Sequence, residues 1–144
     1  MSHSKEDEMI AYLEDRWKCM IARTSTFCIV DGIIMRDNNI KGIIELKNRH
    51  HTYDQMKQFD TLLLSFDKIT TGRELSKTLN VPFYVAMRTS DDIYLYWKIC
   101  DNGVFTIAMM LDYKETNKRT EINNDGSKIS RYNAFLKINQ AKKI

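Results

Sequence analysis

Asp31 and the tripeptide Glu45-Leu46-Lys47 carry the chemistry most easily read from this chain. The apolar run around them, Ile43-Ile44 and Leu46, marks the middle of a buried strand, yet two charges stand in it. Side chains alternate along a strand, so Glu45 and Lys47 share one face and Ile44 and Leu46 the other. A charge buried in a sheet is costly unless it is paired or bound. If Asp31 lies across from Glu45, two carboxylates meet, and either one takes up a proton or the pair binds a cation. Carboxylate oxygens with positions left open to water suit Mg²⁺ or Mn²⁺. Lys47 beside them would acidify a water on the cation or stabilise negative charge on a phosphate. The alternative is an Asp–Lys–Glu network that only holds the sheet together.

Whether the two acids meet depends on a hairpin. Residues 26–36 and 40–47 are β-rich and apolar on both faces, which implies a sheet covered on each side, and the turn signal Asp37-Asn38-Asn39 lies between them. A three-residue loop with Asn39 left-handed makes Arg36 face Ile40, so that paired positions sum to about 76. Asp31 is then opposite Glu45, with β-carbons about 5 Å apart. A two-residue loop shifts the sum to about 77 and puts the acids on opposite faces. Gly32, next to Asp31, has no side chain to crowd a ligand or a neighbouring backbone.

The other elements are read from periodicity. Residues 5–22 form an amphipathic helix with Ile10, Leu13, Trp17 and Ile21 inward, Ser4 as N-cap and acids in the first turn. A third strand has room between this helix and the hairpin. Residues 53–66 are expected to be helical, with Met56, Phe59, Leu63 and Phe66 on one stripe, and a further helix is expected from about 71 to 79, ending at Asn80. "PFYVAMR" and "IYLYWKI" follow as strands around "TSDD", and "VFTIAMML", 104–111, as another. A polar loop with "NNDG" turn chemistry comes next, then "RYNAFLKI" as a short helix or strand. The order implies an α/β sandwich with a mixed sheet.

Length fits one domain over 1–144, with a core at about 5–100 and an additional strand, basic loop and tail at 101–144. Cys19, Cys28 and Cys100 are too few and too scattered for a disulfide framework or a zinc site, which points to a reducing, cytoplasmic setting. No signal peptide or membrane span is expected. Residues 1–113 hold 14 basic and 16 acidic side chains, whereas residues 114–144 hold 8 and 3, a basic tail suited to a polyanion. There is no Gly-rich phosphate loop or dinucleotide fingerprint to suggest an enzyme of small anionic metabolites. Trp17, Tyr84, Tyr94, Tyr96 and Trp97 read as core and sheet residues rather than base-stacking platforms.

Asp31 followed at a distance by Glu45-Leu46-Lys47 resembles the PD-(D/E)XK motif of the restriction-endonuclease-like nuclease superfamily, with Val30 where proline is usual. The order of elements over residues 5–100 is similar to that superfamily's αβββαβ core. The resemblance implies a Mg²⁺- or Mn²⁺-dependent endonuclease acting on DNA, of a kind frequent in phages. A catalytically inactive DNA-binding or assembly module on the same fold is the alternative. The cation would be held by Asp31, Glu45 and the backbone carbonyl of Leu46, and Lys47 would orient or activate the attacking water. Many members add an acid from the first helix, for which Glu6 fits best and Glu14 is the rival. Gln55, in "QMKQF", resembles a QxxxY element with Phe59 for tyrosine. Arg49, His50 and Lys68 would contact the substrate backbone, and cutting both strands would need a homodimer.

Overall fold

The computed structural model describes residues 3–25, 30–116 and 129–144. Helix α1 (His3–Trp17) begins the chain and ends where Lys18 takes a left-handed conformation, so it stops short of the expected residue 22. Ser4 lies inside the helix rather than at its cap, and Ile21 belongs to strand β1 (Met20–Arg23), the third strand for which there was room. Strands β2 (Gly32–Arg36) and β3 (Asn39–Asn48) form the hairpin. Residues 26–29, expected as its first part, lie outside the described residues.

The loop departs from expectation. Arg36 pairs with Asn39, so only Asp37 and Asn38 turn, both at positive φ. Two such residues suit a tight hairpin whose twist matches its strands. This register alone would set the acids on opposite faces. A bulge corrects it: Met35 pairs with Ile40 but Ile34 with Gly42, leaving Lys41 as the extra residue. From there Ile33 meets Ile43 and Gly32 meets Ile44. Asp31 lies one residue beyond this ladder, with its N–H on the Ile44 carbonyl and its carboxylate on the Leu46 N–H, which leaves its charge beside Glu45 without the direct pairing expected.

The expected helix over 53–66 is in fact two elements. Helix α2 (Tyr53–Phe59) ends at Asp60, which is left-handed, and strand β4 (Thr61–Ser65) follows. The alternation decides it: Leu62 and Leu64 are buried while Leu63 is exposed, a period of two. Helix α3 (Phe66–Leu79) starts earlier than expected and ends, as expected, at a left-handed Asn80. Strands β5 (Pro82–Arg88) and β6 (Tyr94–Asp101) flank the polar turn. The single strand expected over 104–111 is divided into β7 (Val104–Phe105) and β8 (Met110–Thr116). Strand β9 (Ile129–Lys137) runs into a short 3₁₀ turn (Ile138–Gln140) and β10 (Lys142–Lys143). The "NNDG" turn lies outside the described residues.

The main sheet has the order β1-β2-β3-β5-β6-β10, with β7 on β6, and β3 and β5 run parallel. A smaller sheet, β4-β9-β8, ties the end of the chain to its middle. Two cores result. Met9, Ile10 and Leu13 of α1 cover Ile44, Leu46 and Ala86 on one face. Ile69 of α3 and the small sheet's Leu62, Leu64 and Leu136 cover Ile43, Phe83 and Val85 on the other. Glu45 and Lys47 therefore project to the α3 side. Helix α3 approaches closely because it carries Gly72: a β-carbon there would sit 2.2 Å from the Phe83 ring. Among the described residues no helix is long and apolar enough to cross a membrane.

Candidate active site around Glu45

Glu45 is 1% exposed, in the middle of β3, with β2 and β5 on either side. Its Oε1 accepts a hydrogen bond from Lys68 Nζ at 2.6 Å and lies 3.7 Å from Lys47 Nζ. Its Oε2 is buried and has no hydrogen-bond partner among the described residues. Such an atom is expensive to leave alone. Burial, and then the charge of Asp31, raise the Glu45 pKa from 4.5 to about 7, against the opposing pull of Lys68 and Lys47. Lys47 is half-buried and its pKa is lowered, first by desolvation and next by Lys68.

Asp31 sits one residue before β2 begins. Its backbone N–H donates to the Ile44 carbonyl at 3.1 Å, and its carbonyl accepts from Thr24 N–H at 3.1 Å. Its carboxylate Oδ2 accepts from the Leu46 N–H at 2.7 Å, taking the ladder position that β2 vacates. A strand residue's N–H and C=O face the same edge, so the Leu46 carbonyl faces the Asp31 side as well. Gly32 serves packing here: a β-carbon would come 2.8 Å from Ile21 Cγ2.

Lys68 reaches Glu45 through helix geometry. It precedes Gly72 by one turn, so both lie on the face of α3 pressed against the sheet. Sequence reasoning placed Lys68 at the substrate but did not foresee the pairing. The Gly72 at i+4 was the available signal.

The remaining candidates divide by position. Glu6 is part-buried, with Oε1 3.5 Å from Arg23 Nη1, while Arg23 Nη2 lies 2.8 Å from Asp7. Arg23 pairs with Gly32 in the sheet, so this acid–base group adjoins Asp31. Arg23 was not singled out from sequence; nothing in its spacing marks it. The rival Glu14 has a backbone task, since its Oε2 accepts from Ile21 N–H at 2.9 Å. Gln55 is the N3 residue of a capping box: its Oε1 accepts from Thr52 N–H at 2.8 Å, and its own N–H donates to the Thr52 hydroxyl. Arg49 is held by its backbone to the Arg88 carbonyl and by Nη2 to the Leu63 carbonyl at 3.4 Å. His50 is exposed, its ring 4.2 Å from that of His51. The site thus brings together Asp31, Glu45, Lys47 and Lys68; Arg49, His50 and Gln55 bond elsewhere.

No cluster of three or more His, Cys, Asp or Glu side chains able to hold a metal occurs among the described residues. The oxygen donors present are two carboxylates and a carbonyl. That set fits a hard cation that keeps several waters, and the partnerless Glu45 Oε2 is the atom such a cation would satisfy.

A family model described as phage putative PDDEXK endonuclease matches residues 2–113. Among solved structures, Hjc of Archaeoglobus fulgidus, a Holliday junction resolvase from an archaeal hyperthermophile, superposes with a TM-score of 0.56 at 15% identity, covering 99% of this chain and 93% of that one. At that identity the likeness is one of fold, and it gives the chain the restriction-endonuclease-like architecture. No curated protein matches.

Proposed function

The chain belongs to the family of phage putative PDDEXK endonucleases, and from that premise we propose that it is a Mg²⁺- or Mn²⁺-dependent endonuclease hydrolysing phosphodiester bonds in DNA. The observation that carries this reading is a buried carboxylate oxygen without a partner, flanked by a second acid and two ammonium groups. Asp31, Glu45 and the Leu46 carbonyl would hold the cation. When bound, a divalent ion polarises the phosphate and makes an attacking water more acidic.

The chain's own groups do the rest. Lys47 projects from the same face as Glu45, and its lowered pKa suits a group that orients water and exchanges a proton with it. In the hydrolysis a water oxygen bonds to phosphorus, one P–O ester bond breaks, and the leaving oxygen takes up a proton. Lys68 is a counter-charge of Glu45, with its Nζ 2.6 Å from Oε1. With a cation on that carboxylate, the Lys68 ammonium would be free to contact the phosphate. Glu6 supplies a further acid beside Asp31, held in place by Arg23. Arg49 and His50 would contact the neighbouring backbone only on leaving their present partners, and Gln55 only on leaving its capping box.

The described residues hold one such site, so cutting both strands would take a pair of copies. Strands β9 and β10 pair with β4 and β6, which fits a single nuclease domain spanning the chain. The free thiols of Cys19 and Cys100 suit a reducing cytoplasm.

The test is a panel of labelled DNA forms incubated with Mg²⁺, Mn²⁺ or chelator. Wild-type protein is expected to cut with either ion and not with chelator, and Glu45→Ala and Lys47→Ala to cut nothing while keeping the circular dichroism of the parent. Cleavage at the parent rate by either variant overturns the assignment.

A further inference from the structure

The face of the main sheet away from Glu45 carries a second feature that hydrolysis does not use. Helix α1 ends at Trp17 and, among the described residues, does not extend over the adjoining strip of sheet. Across that strip Trp17, Tyr84 and Tyr96 form a cluster. Trp17 lies 5.4 Å from the Tyr96 ring, nearly perpendicular, and 5.9 Å from Tyr84, while Tyr84 and Tyr96 are 6.1 Å apart. All three are half-buried, packed on one side against the α1 core and bordering open clefts on the other.

Two clefts share Tyr84 and Tyr96 as lining and so adjoin at these rings, a pair called the groove. The first, of about 350 Å³, runs from Ile34 past Lys41 to the rings. The second, of about 410 Å³, continues past Lys98 to Gln140 and Lys142. The groove crosses β2, β3, β5, β6 and β10, roughly 19 Å at the usual strand spacing. Gly42 keeps its floor low, because a β-carbon there would press on the Tyr84 ring at 3.2 Å. Arg36 and Lys41 stand at one end, Lys98 and Lys142 at the other. Lys98 is paired with Asp101 at 2.9 Å, and Arg36 is anchored to the Trp17 and Lys18 carbonyls. Lys41 and Lys142 are exposed.

We propose that this groove binds unpaired nucleic-acid bases, with the rings as stacking surfaces and the basic ends as phosphate contacts. Aromatic rings on adjacent strands between cationic margins match what single strands offer: free base faces and a charged backbone. A duplex offers the charge but keeps its bases stacked on one another. The site lies across the sheet from the carboxylates, so it would hold a strand other than the one being cut, as in a gapped or branched substrate. It stands without the proposed hydrolysis.

Trp17 makes the test direct. The only other tryptophan, Trp97, is 1% exposed and belongs to the opposite core. A short oligothymidylate is titrated in chelator while tryptophan emission is read. Saturable quenching is expected, absent in Trp17→Phe and much weaker with a duplex of equal length. Removal of the rings can disturb the core, so the second variant is Lys41→Glu with Lys142→Glu, both at exposed positions. It is expected to weaken single-strand binding by on the order of tenfold at low salt and to flatten its salt dependence. Unchanged emission at saturating oligonucleotide, equal quenching by duplex, or undiminished binding by the double variant overturns the proposal. No cleavage is read, so each of these results leaves the carboxylate site unjudged.

Discussion

Lys68 Nζ lies 2.6 Å from Glu45 Oε1, closer than Lys47, the lysine of the motif itself, at 3.7 Å. A helix on the far end of a crossover thus supplies the first counter-charge to the central acid. The pair is part-buried, so its attraction is screened less than a surface ion pair. A divalent cation held by Glu45, as proposed, would compete with that ammonium.

Replacing Lys68 with methionine is therefore expected to raise Mn²⁺ affinity by on the order of tenfold, measured by calorimetry on the ion-free protein. DNA affinity should fall in the same variant, because a phosphate contact goes. If Mn²⁺ binds Lys68→Met no better than the parent, the competition does not exist.

The raised pKa of Glu45 has a stability consequence with a definite sign. The folded protein holds a proton on Glu45 up to about pH 7, whereas the unfolded chain releases it near 4.5. Across that window the native state binds more protons, so this contribution to stability is present below 4.5 and is lost as pH rises through 7. Glu45→Gln removes the titration. Relative to wild type without metal, it should gain about 3 kcal/mol between pH 4 and pH 8 by urea unfolding. A constant difference between the two proteins over that range would contradict the assignment.

Gly72→Ala is expected to cost about 1–3 kcal/mol, because the new β-carbon would strike the Phe83 ring and force α3 away from the sheet. The same shift draws Lys68 from Glu45. Chemical denaturation gives the first effect, and altered Mn²⁺ affinity the second. A variant of parental stability would mean that the helix is not seated so closely.

How much of this was legible in sequence varies by element. The acids' meeting was, since Asp31 and Glu45 have the right separation for an even register. The mechanism was not: a two-residue loop breaks parity and the extra Lys41 restores it, and a bulge leaves no clear mark in composition. Residues 53–66 misled because Met56, Phe59, Leu63 and Phe66 satisfy a helical period by accident, across a left-handed Asp60. Strand β4 forms because β9, far along the chain, pairs with it. The Lys68–Glu45 contact depends on how a helix packs on a sheet; Gly72 at i+4 marks the packed face, but local spacing does not name the partner across it. Trp17, Tyr84 and Tyr96 pack against the α1 core as their sequence pattern implied, but sequence does not show that they also border open clefts, which depends on where α1 ends.

The central claim is that Asp31 and Glu45 seat a divalent cation. Crystals soaked in Mn²⁺ and measured at the manganese absorption edge test it most directly. An anomalous peak between the two carboxylates, beside the Leu46 carbonyl and with Lys68 moved off Glu45, is the expected result. An empty site at saturating Mn²⁺, with Lys68 still on Glu45, would contradict the account.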